Sequence, residues 1–381
     1  MRFILIVLIV LCLGAACASD SPSSKLALAG TFPWSSWEYD YVFYPAVVYD
    51  AADNKYKMFY SATGVAQTGD SMWDLWHIGI ATCPGTDTFA WSRIDDNYEP
   101  VLRSSKFYEG DVVNPPDQKT RFDYIFAYGA CVIKDGAAFK MWYTGWNGKS
   151  EHVGNGITRK LNQRIGYATS PDGMNWTKLS GPGTGECILD LGAAGSQDAK
   201  GVGQPYVIKE GDSYRMWYEG FDGSVWRIFY AVSPDGIKWT KQGAALNPGE
   251  TGSLDQLGAR NPVVITRKGK MELWYEGQSG TGAYPSQYHV LRAVSADNGA
   301  SWTKEPTEVS LHPVKPNEPG DTTPWDVNDP TARVHVDSII KVQADGSCQV
   351  FYDKQVFSTM DMNFGKMKQN RYWIYTEVVN P

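Results

Sequence analysis

The sequence predicts an all-β fold built from repeated units of short antiparallel strands. The first observation is a strand that recurs five times with the same alternation of aromatic and polar residues. Its copies are Tyr56-Lys-Met-Phe-Tyr60, Phe139-Lys-Met-Trp-Tyr143, Tyr214-Arg-Met-Trp-Tyr218, Met271-Glu-Leu-Trp-Tyr275 and Cys348-Gln-Val-Phe-Tyr352. Apolar residues at every second position, bounded by Gly, Asp and Pro, are typical of strands joined by tight turns.

A following strand and a tryptophan recur in step with this strand. The following strand occupies residues 78–81, 164–168, 227–231, 290–293 and 372–375. Trp176, Trp239 and Trp302 lie 63 residues apart, from 176 to 239 and from 239 to 302. Such units have room for four strands and bury both faces only by stacking around an axis. We therefore predict a five-bladed β-propeller of four-stranded antiparallel blades, with extra loop in the second unit around residues 112–122 and 150–161.

Composition limits the class of partner. The chain has 381 residues, 43% of them hydrophobic, and a formal net charge of -7. This length allows a large core, and an acidic chain without a basic run argues against nucleic acid as a partner. We expect one propeller domain over residues 34–381, preceded by a linker or N-terminal segment over 19–33, and a monomer that binds carbohydrate.

The first 18 residues predict a signal peptide. Met1-Arg2 gives a positive start, residues 3–13 form an apolar run too short to span a bilayer, and Ala16-Cys17-Ala18 offers the small residues of a cleavage site. We predict a secreted, extracellular or periplasmic protein with no transmembrane segment in the mature chain. The alternative is a lipoprotein anchored at Cys17, because Leu13-Gly-Ala-Ala-Cys17 resembles a lipobox.

Four cysteines remain after cleavage behind Ala18: Cys83, Cys131, Cys187 and Cys348. An oxidising compartment permits disulfides between them, and buried free thiols are the alternative. None has the C-x-x-C spacing of a zinc site.

Two sets of repeated acids predict structural roles. Residues 295–302 fit the Asp-box pattern S-x-D-x-G-x-x-W, and residues 170–176 and 233–239 are versions one residue shorter. In this turn the Asp carboxylate binds turn amides and Gly supplies an unusual backbone dihedral. A second acid, at Asp123, Asp198 and Asp255, lies seven residues before the positions of Ala130, Pro205 and Pro262. Because nearly every unit has one, we expect it to anchor a loop.

Candidate functional residues are those that differ from unit to unit. In a propeller the inner strands line the axis, and the loops that enter them form a funnel at one face. The second strand of each unit runs back to the same face, where the chain places Ser61, Thr144, Glu219, Glu276 and Asp353. This variation is what a site requires and a scaffold does not.

The repeated units resemble the five-bladed propeller glycosidases, which include the arabinanase and β-xylosidase family, the invertase and levansucrase group and the mannoside phosphorylases. The resemblance lies in the Tyr-x-Met-Trp-Tyr-x-Gly and Arg-Ile-x-Tyr-Ala-x-Ser-x-Asp-Gly-x-x-Trp units and covers most of residues 34–381. It implies an acid on each of the first three blades, with an Asp as base or nucleophile and a Glu as acid. This chain departs from that pattern, with Tyr44, Tyr128-Gly129 and Gln204 at the three entries.

We therefore predict a catalytic set of Asp40, Glu219, Glu276 and Asp337. Asp40 is the candidate base, and Glu219 is the candidate acid, because an apolar environment would raise its pKa. The predicted substrate-binding residues are Tyr128, Gln204, Arg260, Asn261, Arg333 and His335.

Sugar stacking and metal binding complete the prediction. Aromatic rings suit the apolar faces of sugars, and seven tryptophans lie outside the repeated core: Trp34, Trp37, Trp73, Trp76, Trp146, Trp226 and Trp325. Packing between blades is their alternative role. The prediction requires no cofactor and assigns no metal ligand; a Ca²⁺ ion on the axis is left open, and His335 could bind a metal there.

Two functions remain open from the sequence. One is an extracellular glycoside hydrolase-like protein that acts on a poly- or oligosaccharide through carboxylates in the central funnel. The other is a non-catalytic carbohydrate-binding propeller, which Tyr44 and Gln204 favour because acids are expected there. A sialidase would need three clustered arginines, and only Arg260 and Arg333 are well placed.

Overall fold

The computed structural model describes residues 25–28, 41–64, 75–86, 90–94, 100–105, 120–152, 158–280, 287–311, 333–342, 345–362 and 365–379. The predicted signal peptide and the alternative anchor Cys17 lie outside these residues. Within these ranges the chain is almost entirely β, and no helix has the length and apolar character needed to cross a bilayer. The all-β prediction is confirmed.

Twenty-two strands are numbered in chain order. They are β1 (Lys25–Leu28), β2 (Tyr41–Asp50), β3 (Lys55–Gly64), β4 (Leu75–Pro84), β5 (Ser92–Arg93), β6 (Phe126–Asp135), β7 (Ala138–Trp146), β8 (Ser150–His152), β9 (Thr158–Lys160), β10 (Arg164–Ser170), β11 (Thr177–Leu179), β12 (Gly201–Glu210), β13 (Ser213–Phe221), β14 (Trp226–Ser233), β15 (Thr240–Leu246), β16 (Gly258–Arg267), β17 (Lys270–Ser279), β18 (Gln287–Ser295), β19 (Thr303–Lys304), β20 (Val334–Val342), β21 (Cys348–Met362) and β22 (Gly365–Val379).

Antiparallel pairing divides these strands into consecutive groups. From inside to outside, the groups are β2-β3-β4-β5, β6-β7-β10-β11, β12-β13-β14-β15, β16-β17-β18-β19 and β20-β21-β22-β1. The predicted repeated strands are therefore the second and third strands of each group. The extra loop predicted at 150–161 contains the separate hairpin β8-β9, whereas residues 112–119 lie outside the described part.

The first strand of each group faces a common axis. Strand β2 contacts β6, β6 contacts β12, β12 contacts β16, β16 contacts β20, and β20 contacts β2 again. The inner strands thus form a closed ring, and the sheets radiate from it. This arrangement is of the propeller type.

The N-terminal strand β1 completes the last group. It pairs antiparallel with β22, which also meets β2 through a parallel bridge between Tyr41 and Tyr372. Residues 25–28 lie in the stretch 19–33, predicted as a linker or N-terminal segment, and form a strand of the last group. Ala27 and Leu28 are buried with Val42 and Ile374, so the folded unit begins before residue 34.

The repeated Asp boxes connect neighbouring groups. In the turn after β14, Asp235 Oδ1 accepts hydrogen bonds from the backbone N–H groups of Ile237 and Lys238 at 2.8 Å each. The carbonyl of Gly236 accepts the indole N–H of Trp142, from the preceding group, at 2.7 Å. Trp217 donates in the same way to Gly299 at 2.7 Å. The Asp boxes therefore have the local structural role expected of them.

The second repeated acid binds a tyrosine and a lysine of its own group. Asp123 Oδ2 accepts the hydroxyl of Tyr143 at 2.9 Å and the ammonium of Lys178 at 2.5 Å. The same contacts join Asp198 with Tyr218 and Lys241, and Asp255 with Tyr275 and Lys304. These acids anchor the loops before the inner strands β6, β12 and β16, as the repetition indicated.

All four described cysteines are buried free thiols: Cys83, Cys131, Cys187 and Cys348. Of the two alternatives for these residues, free thiols are confirmed.

Candidate active site

The site is organised by a bulge in each inner strand. The pairing register shifts after Phe43, Tyr128, Gly203, Arg260 and Val336. Four residues at these bulges have positive φ: Tyr44 (53°), Gly129 (57°), Gln204 (45°) and Asn261 (48°). A β-bulge redirects a side chain, and glycine adopts this backbone at no steric cost. The three other residues carry strain of about 1–3 kcal/mol each, a cost found mainly at functional sites.

Side chains of the adjacent group hold these bulges. The backbone N–H of Tyr44 donates to Asp353 Oδ2, that of Gly129 to Ser61 Oγ, and that of Gln204 to Thr144 Oγ1, at 2.8 Å each. The three acceptors lie at the funnel ends of the second strands. The predicted set of variable strand ends therefore surrounds the axis.

The two glutamates of that set bind arginines. Glu219 accepts the Nε–H and Nη2–H of Arg260 at 2.8 Å each, in a bidentate pair. Glu276 accepts Arg333 Nε–H at 2.6 Å and Nη2–H at 3.3 Å, and Gln278 Nε2–H at 2.8 Å. Both carboxylates are fully buried. The apolar environment expected around Glu219 is wrong, because a guanidinium faces its two oxygens.

These contacts set the charge of the site. Burial alone would raise the pKa of Glu276, but the guanidinium groups of Arg333 and Arg260 outweigh burial and lower it below the ordinary value. Burial likewise opposes ionisation of Arg260, yet the Glu219 carboxylate raises the pKa of that guanidinium. Arg260 also lies 4.1 Å from the ring centroid of Trp226. Glu276 and the two arginines therefore stay charged across the physiological range.

His335, Asp337 and Asp353 form a second cluster beside the arginine pairs. His335 Nδ1 lies 3.2 Å from Asp337 Oδ2 and 3.3 Å from Asp353 Oδ1, and its ring stacks on Tyr44 at a centroid distance of 4.8 Å. Burial lowers the pKa of His335 to about 3, so the imidazole is neutral. Burial raises the pKa of Asp353 to about 8 and that of Asp337 well above its usual value. The Asp353 carboxylate adds to the shift of Asp337, and the Glu276 carboxylate adds to both, whereas the hydrogen bond with Asp337 lowers the pKa of Asp353.

The axis itself contains a cavity of about 90 Å³. The bulge residues Tyr44, Gly129, Gln204, Asn261 and Asp337 line its polar part, and branched apolar residues of the inner strands line the rest. Asn261 Nδ2 and Oδ1 and Gln204 Nε2 are buried there without a hydrogen-bond partner.

The structure brings nine of the ten predicted site residues to this region. Tyr128 packs against Tyr44 and Trp76, and its hydroxyl accepts the side-chain amide of Gln163. Asp40 lies outside the described residues, as do Trp34, Trp37, Trp73 and Trp325. Trp76 stacks on Phe126 and Trp146 is buried against it, so these two indoles serve packing.

Two site residues were not predicted. Tyr44 was noted only as a missing acid, although its ring covers His335 and its N–H binds Asp353. Asp353 was recognised as a variable strand end but was not assigned a role. The sequence signal for Asp353 is its position at the end of the repeated strand, equivalent to those of Glu219 and Glu276. Its proximity to Asp337 depends on a contact between strands, which spacing in the sequence does not predict.

Among the described residues, the cluster of His335, Asp337 and Asp353 does not supply the ligand set of an axial Ca²⁺ ion. Ligand atoms of His335, Asp337 and Asp353 lie within 4.8 Å of one another. Ca²⁺ takes six to eight oxygen ligands. This cluster offers an imidazole nitrogen and two carboxyls, and one carboxyl oxygen already accepts the Tyr44 N–H.

The ring of inner strands and the sheets that radiate from it define a propeller protein, and comparison with solved structures supports this fold. A solved structure from a mannoside phosphorylase family, described as containing glycoside hydrolases that target β-1,2-mannosidic linkages in Candida mannan, superposes with a TM-score of 0.55. The match covers 91% of this chain and 86% of that one at 18% identity. At this identity the likeness shows the fold alone.

Among curated proteins, an uncharacterised protein of Mycobacterium tuberculosis (strain ATCC 25618 / H37Rv) is 31% identical over 216 residues, which are 55% of this chain and 60% of that protein. A 1,2-β-oligomannan phosphorylase of Thermoanaerobacter sp. (strain X514) is 24% identical over 164 residues, 42% of this chain and 51% of the enzyme. The chain thus spans about 60% of the length of the first curated relatives it matches. No family model matches the chain.

Proposed function

We propose that the chain is a five-bladed propeller glycoside hydrolase that acts outside the cytoplasm on an uncharged oligosaccharide. The five antiparallel groups and their ring of inner strands support the blade count. The named relatives suggest a β-1,2-linked mannoside as the first substrate to test. Extracellular action rests on the N-terminal sequence alone.

The observation that carries the proposal is the pair of buried arginine–glutamate contacts at the funnel. Phosphorolysis needs cationic groups that can bind a phosphate ion. Here Arg260 and Arg333, the arginines of the described funnel, each bind a glutamate of the protein. Each arginine–glutamate pair is neutral overall and attracts an anion only weakly. Water is therefore favoured over phosphate as the acceptor of the glycosyl group. Because both arginines are bound to glutamates, the site also favours an uncharged sugar over a uronic acid.

The carboxyls divide into proposed roles by their environment. Glu276, whose pKa is lowered, stays ionised and suits a base or a group that stabilises a cationic transition state. Asp337 retains its proton and suits the acid that protonates the leaving oxygen. Glu219 positions Arg260, and Asp40 remains a candidate base. No cofactor is part of this proposal, so activity should survive treatment with a chelator.

The test is cleavage of β-1,2-mannobiose and β-1,2-oligomannan, with products separated by chromatography in the presence and absence of inorganic phosphate. Hydrolysis predicts free mannose in both cases and no mannose 1-phosphate. Glu276→Gln should lower kcat/KM by about 100-fold or more, the usual contribution of an acid–base group. Glu250→Gln, in an exposed loop, is the matched control and should retain wild-type activity. Phosphate-dependent turnover would refute hydrolysis.

The second candidate is a non-catalytic carbohydrate-binding propeller. The bidentate engagement of Glu219 favours it, since both oxygens of that carboxylate are occupied by Arg260. Saturable binding of an oligosaccharide, without product after prolonged incubation of the wild-type protein, would select this alternative.

A further inference from the structure

The axial cavity contains buried polar groups that lack partners. Asn261 is only 4% exposed, and neither its Nδ2 nor its Oδ1 has a hydrogen bond. Gln204 Nε2 and Asp353 Oδ1 are also buried without a hydrogen-bond partner. Buried polar groups are nearly always hydrogen-bonded, so each exception requires an explanation. Gln204 and Asn261 line the axial cavity together with Asp337, the neighbour of Asp353. A ligand that both donates and accepts hydrogen bonds would satisfy them.

Asp337 and Asp353 are too close, and too deeply buried, to be ionised together. Both lie beside Nδ1 of the neutral His335, at 3.2 and 3.3 Å. The other charged groups that act on them are Glu276, which is a further anion, and Arg333, which is bound to Glu276. Two adjacent carboxylates without a cation of their own are stable only when a proton remains between them.

We propose that Asp337 and Asp353 share one proton, and that this pair, together with Asn261 and Gln204, forms a subsite for an uncharged, hydroxyl-bearing sugar residue. Asp353 acts as a positioning residue, because it holds the Tyr44 backbone through Oδ2 and the proton through its pairing with Asp337. The choice of a sugar as ligand rests on the proposed function; the shared proton does not.

The size and chemistry of the cavity fit such a ligand. At about 10–15 Å³ for each water-sized group, 90 Å³ accommodates roughly six to nine such groups. That is comparable to one hexose ring. An amide N–H and a carboxylic O–H donate to hydroxyl oxygens, whereas the amide oxygen of Asn261 accepts a hydroxyl proton. The unprotonated carboxylate repels an anion, which favours an uncharged sugar over an anionic one.

The subsite should depend on pH with a definite sign. The pKa of Asp353 is raised to about 8 and that of Asp337 is raised well above its usual value, both chiefly by burial. While the pair retains its shared proton, it donates to the ligand. As pH rises through the raised pKa values, about 8 for Asp353 and well above the usual value for Asp337, the donor is lost and a second negative charge appears. Sugar affinity should therefore be present below, and lost above, this range.

The experiment measures binding of D-mannose, D-glucose and the anionic sugar D-mannuronate to the full chain by calorimetry at about pH 6 and about pH 9.5. For the wild type we expect the affinity for one or both uncharged sugars to fall by about tenfold or more at the higher pH, as loss of a charge-coupled hydrogen bond implies. D-mannuronate should not bind at either pH. Asp337→Asn should bind with an affinity independent of pH, because an amide donates at both.

Two further variants make the result decisive. Asp353→Asn keeps an oxygen that can accept the Tyr44 N–H, and it should also remove the pH dependence of sugar binding. It replaces Asp337→Asn in the experiment if that variant does not fold. Asp345→Asn is the matched control, since Asp345 is exposed in the turn of the same hairpin and bonds only locally to Ser347 among the contacts described. This variant should retain the wild-type pH dependence.

Three outcomes would overturn the subsite: no binding of either uncharged sugar, a wild-type affinity that does not change with pH, or an unchanged pH dependence in the folded Asp337→Asn and Asp353→Asn variants. The proposed hydrolase fails separately. If a sugar binds with the expected pH dependence but no oligosaccharide is cleaved, the subsite is supported and the proposed hydrolase activity is refuted. If oligosaccharide is cleaved but sugar binding does not depend on pH, the hydrolase is supported and the subsite is refuted.

Discussion

At the scale of single residues, the axis is built from backbone conformations that are costly for the residues present. Tyr44, Gln204 and Asn261 have positive φ where the second group has Gly129. A fold alone would be served by glycine at every bulge. Retention of three side chains at this cost is expected where the side chains themselves bind something.

The Gln204→Gly variant tests this strain. Removing the side chain relieves the backbone and eliminates a buried amide nitrogen without a partner. We expect the free energy of unfolding to rise by about 1 kcal/mol in a denaturant titration, with weaker sugar binding. A loss of stability would show that Gln204 is a packing residue.

A coupled variant provides the control for that measurement. A Cβ added at Gly129 would lie 2.2 Å from Gln204 Oε1. Gly129→Ala should therefore lower the free energy of unfolding more in the wild-type background than in the Gln204→Gly background. The cost of a positive φ for alanine is the same in both backgrounds and cancels in the comparison. Equal losses in the two backgrounds would mean that the two side chains do not compete for the space.

At the scale of strands and turns, the sequence predicts those elements whose conformation depends on neighbouring residues in the chain. The second and third strands of each group and the Asp boxes follow from period-two alternation and from turn residues, which need no knowledge of distant partners. The repeated Asp123, Asp198 and Asp255 were interpreted as anchors for the same reason. Their Tyr and Lys partners belong to the same repeat, so each triad recurs with the unit.

The triads predict a graded loss of stability. Asp123→Ala would leave the ammonium of Lys178, which is 8% exposed, buried without its carboxylate, and should cost about 3–5 kcal/mol. Tyr143→Phe removes one hydrogen bond to the same carboxylate and should cost about 1 kcal/mol. Chemical denaturation of both variants measures the difference. Similar losses would mean that the ion pair contributes no more than the hydroxyl.

The site was predictable in position but not in chemistry. The funnel ends of the second strands were expected to converge, and Glu219, Glu276 and Asp353 do surround the axis. What those carboxyls bind was not predictable, because Arg260 lies 41 residues and Arg333 57 residues from its glutamate in the chain. The pKa of each carboxyl follows from these long-range contacts and from burial, neither of which alternation of residues reveals.

At the scale of the whole molecule, closure of the ring joins the two ends of the described chain. Strand β1 is only four residues long and lies in the stretch that the sequence predicts as a linker or N-terminal segment. Its pairing with β22 brings Leu26 beside Tyr375, a contact between residues almost the full chain length apart. Neither propensity nor periodicity can identify so short a strand. Its position next to the seam between β22 and β2 suggests that it stabilises the ring as a whole.

The variant Leu28→Asp tests this role of β1, with Leu179→Asp as a matched control. Leu28 is 5% exposed and packs with Val42 and Ile374 across the seam, whereas Leu179 is 37% exposed on an outer strand. A buried aspartate there loses about 1.5–3 kcal/mol of apolar burial and adds a desolvated charge, so Leu28→Asp should cost at least about 3 kcal/mol. Leu179→Asp should stay within about 0.5 kcal/mol of wild type. Hydrogen exchange should accelerate in both β22 and β2 for Leu28→Asp, because opening the seam exposes strands from the last and the first groups together. If exchange accelerates in β22 alone, β1 is a local edge strand and the ring is closed by the inner strands.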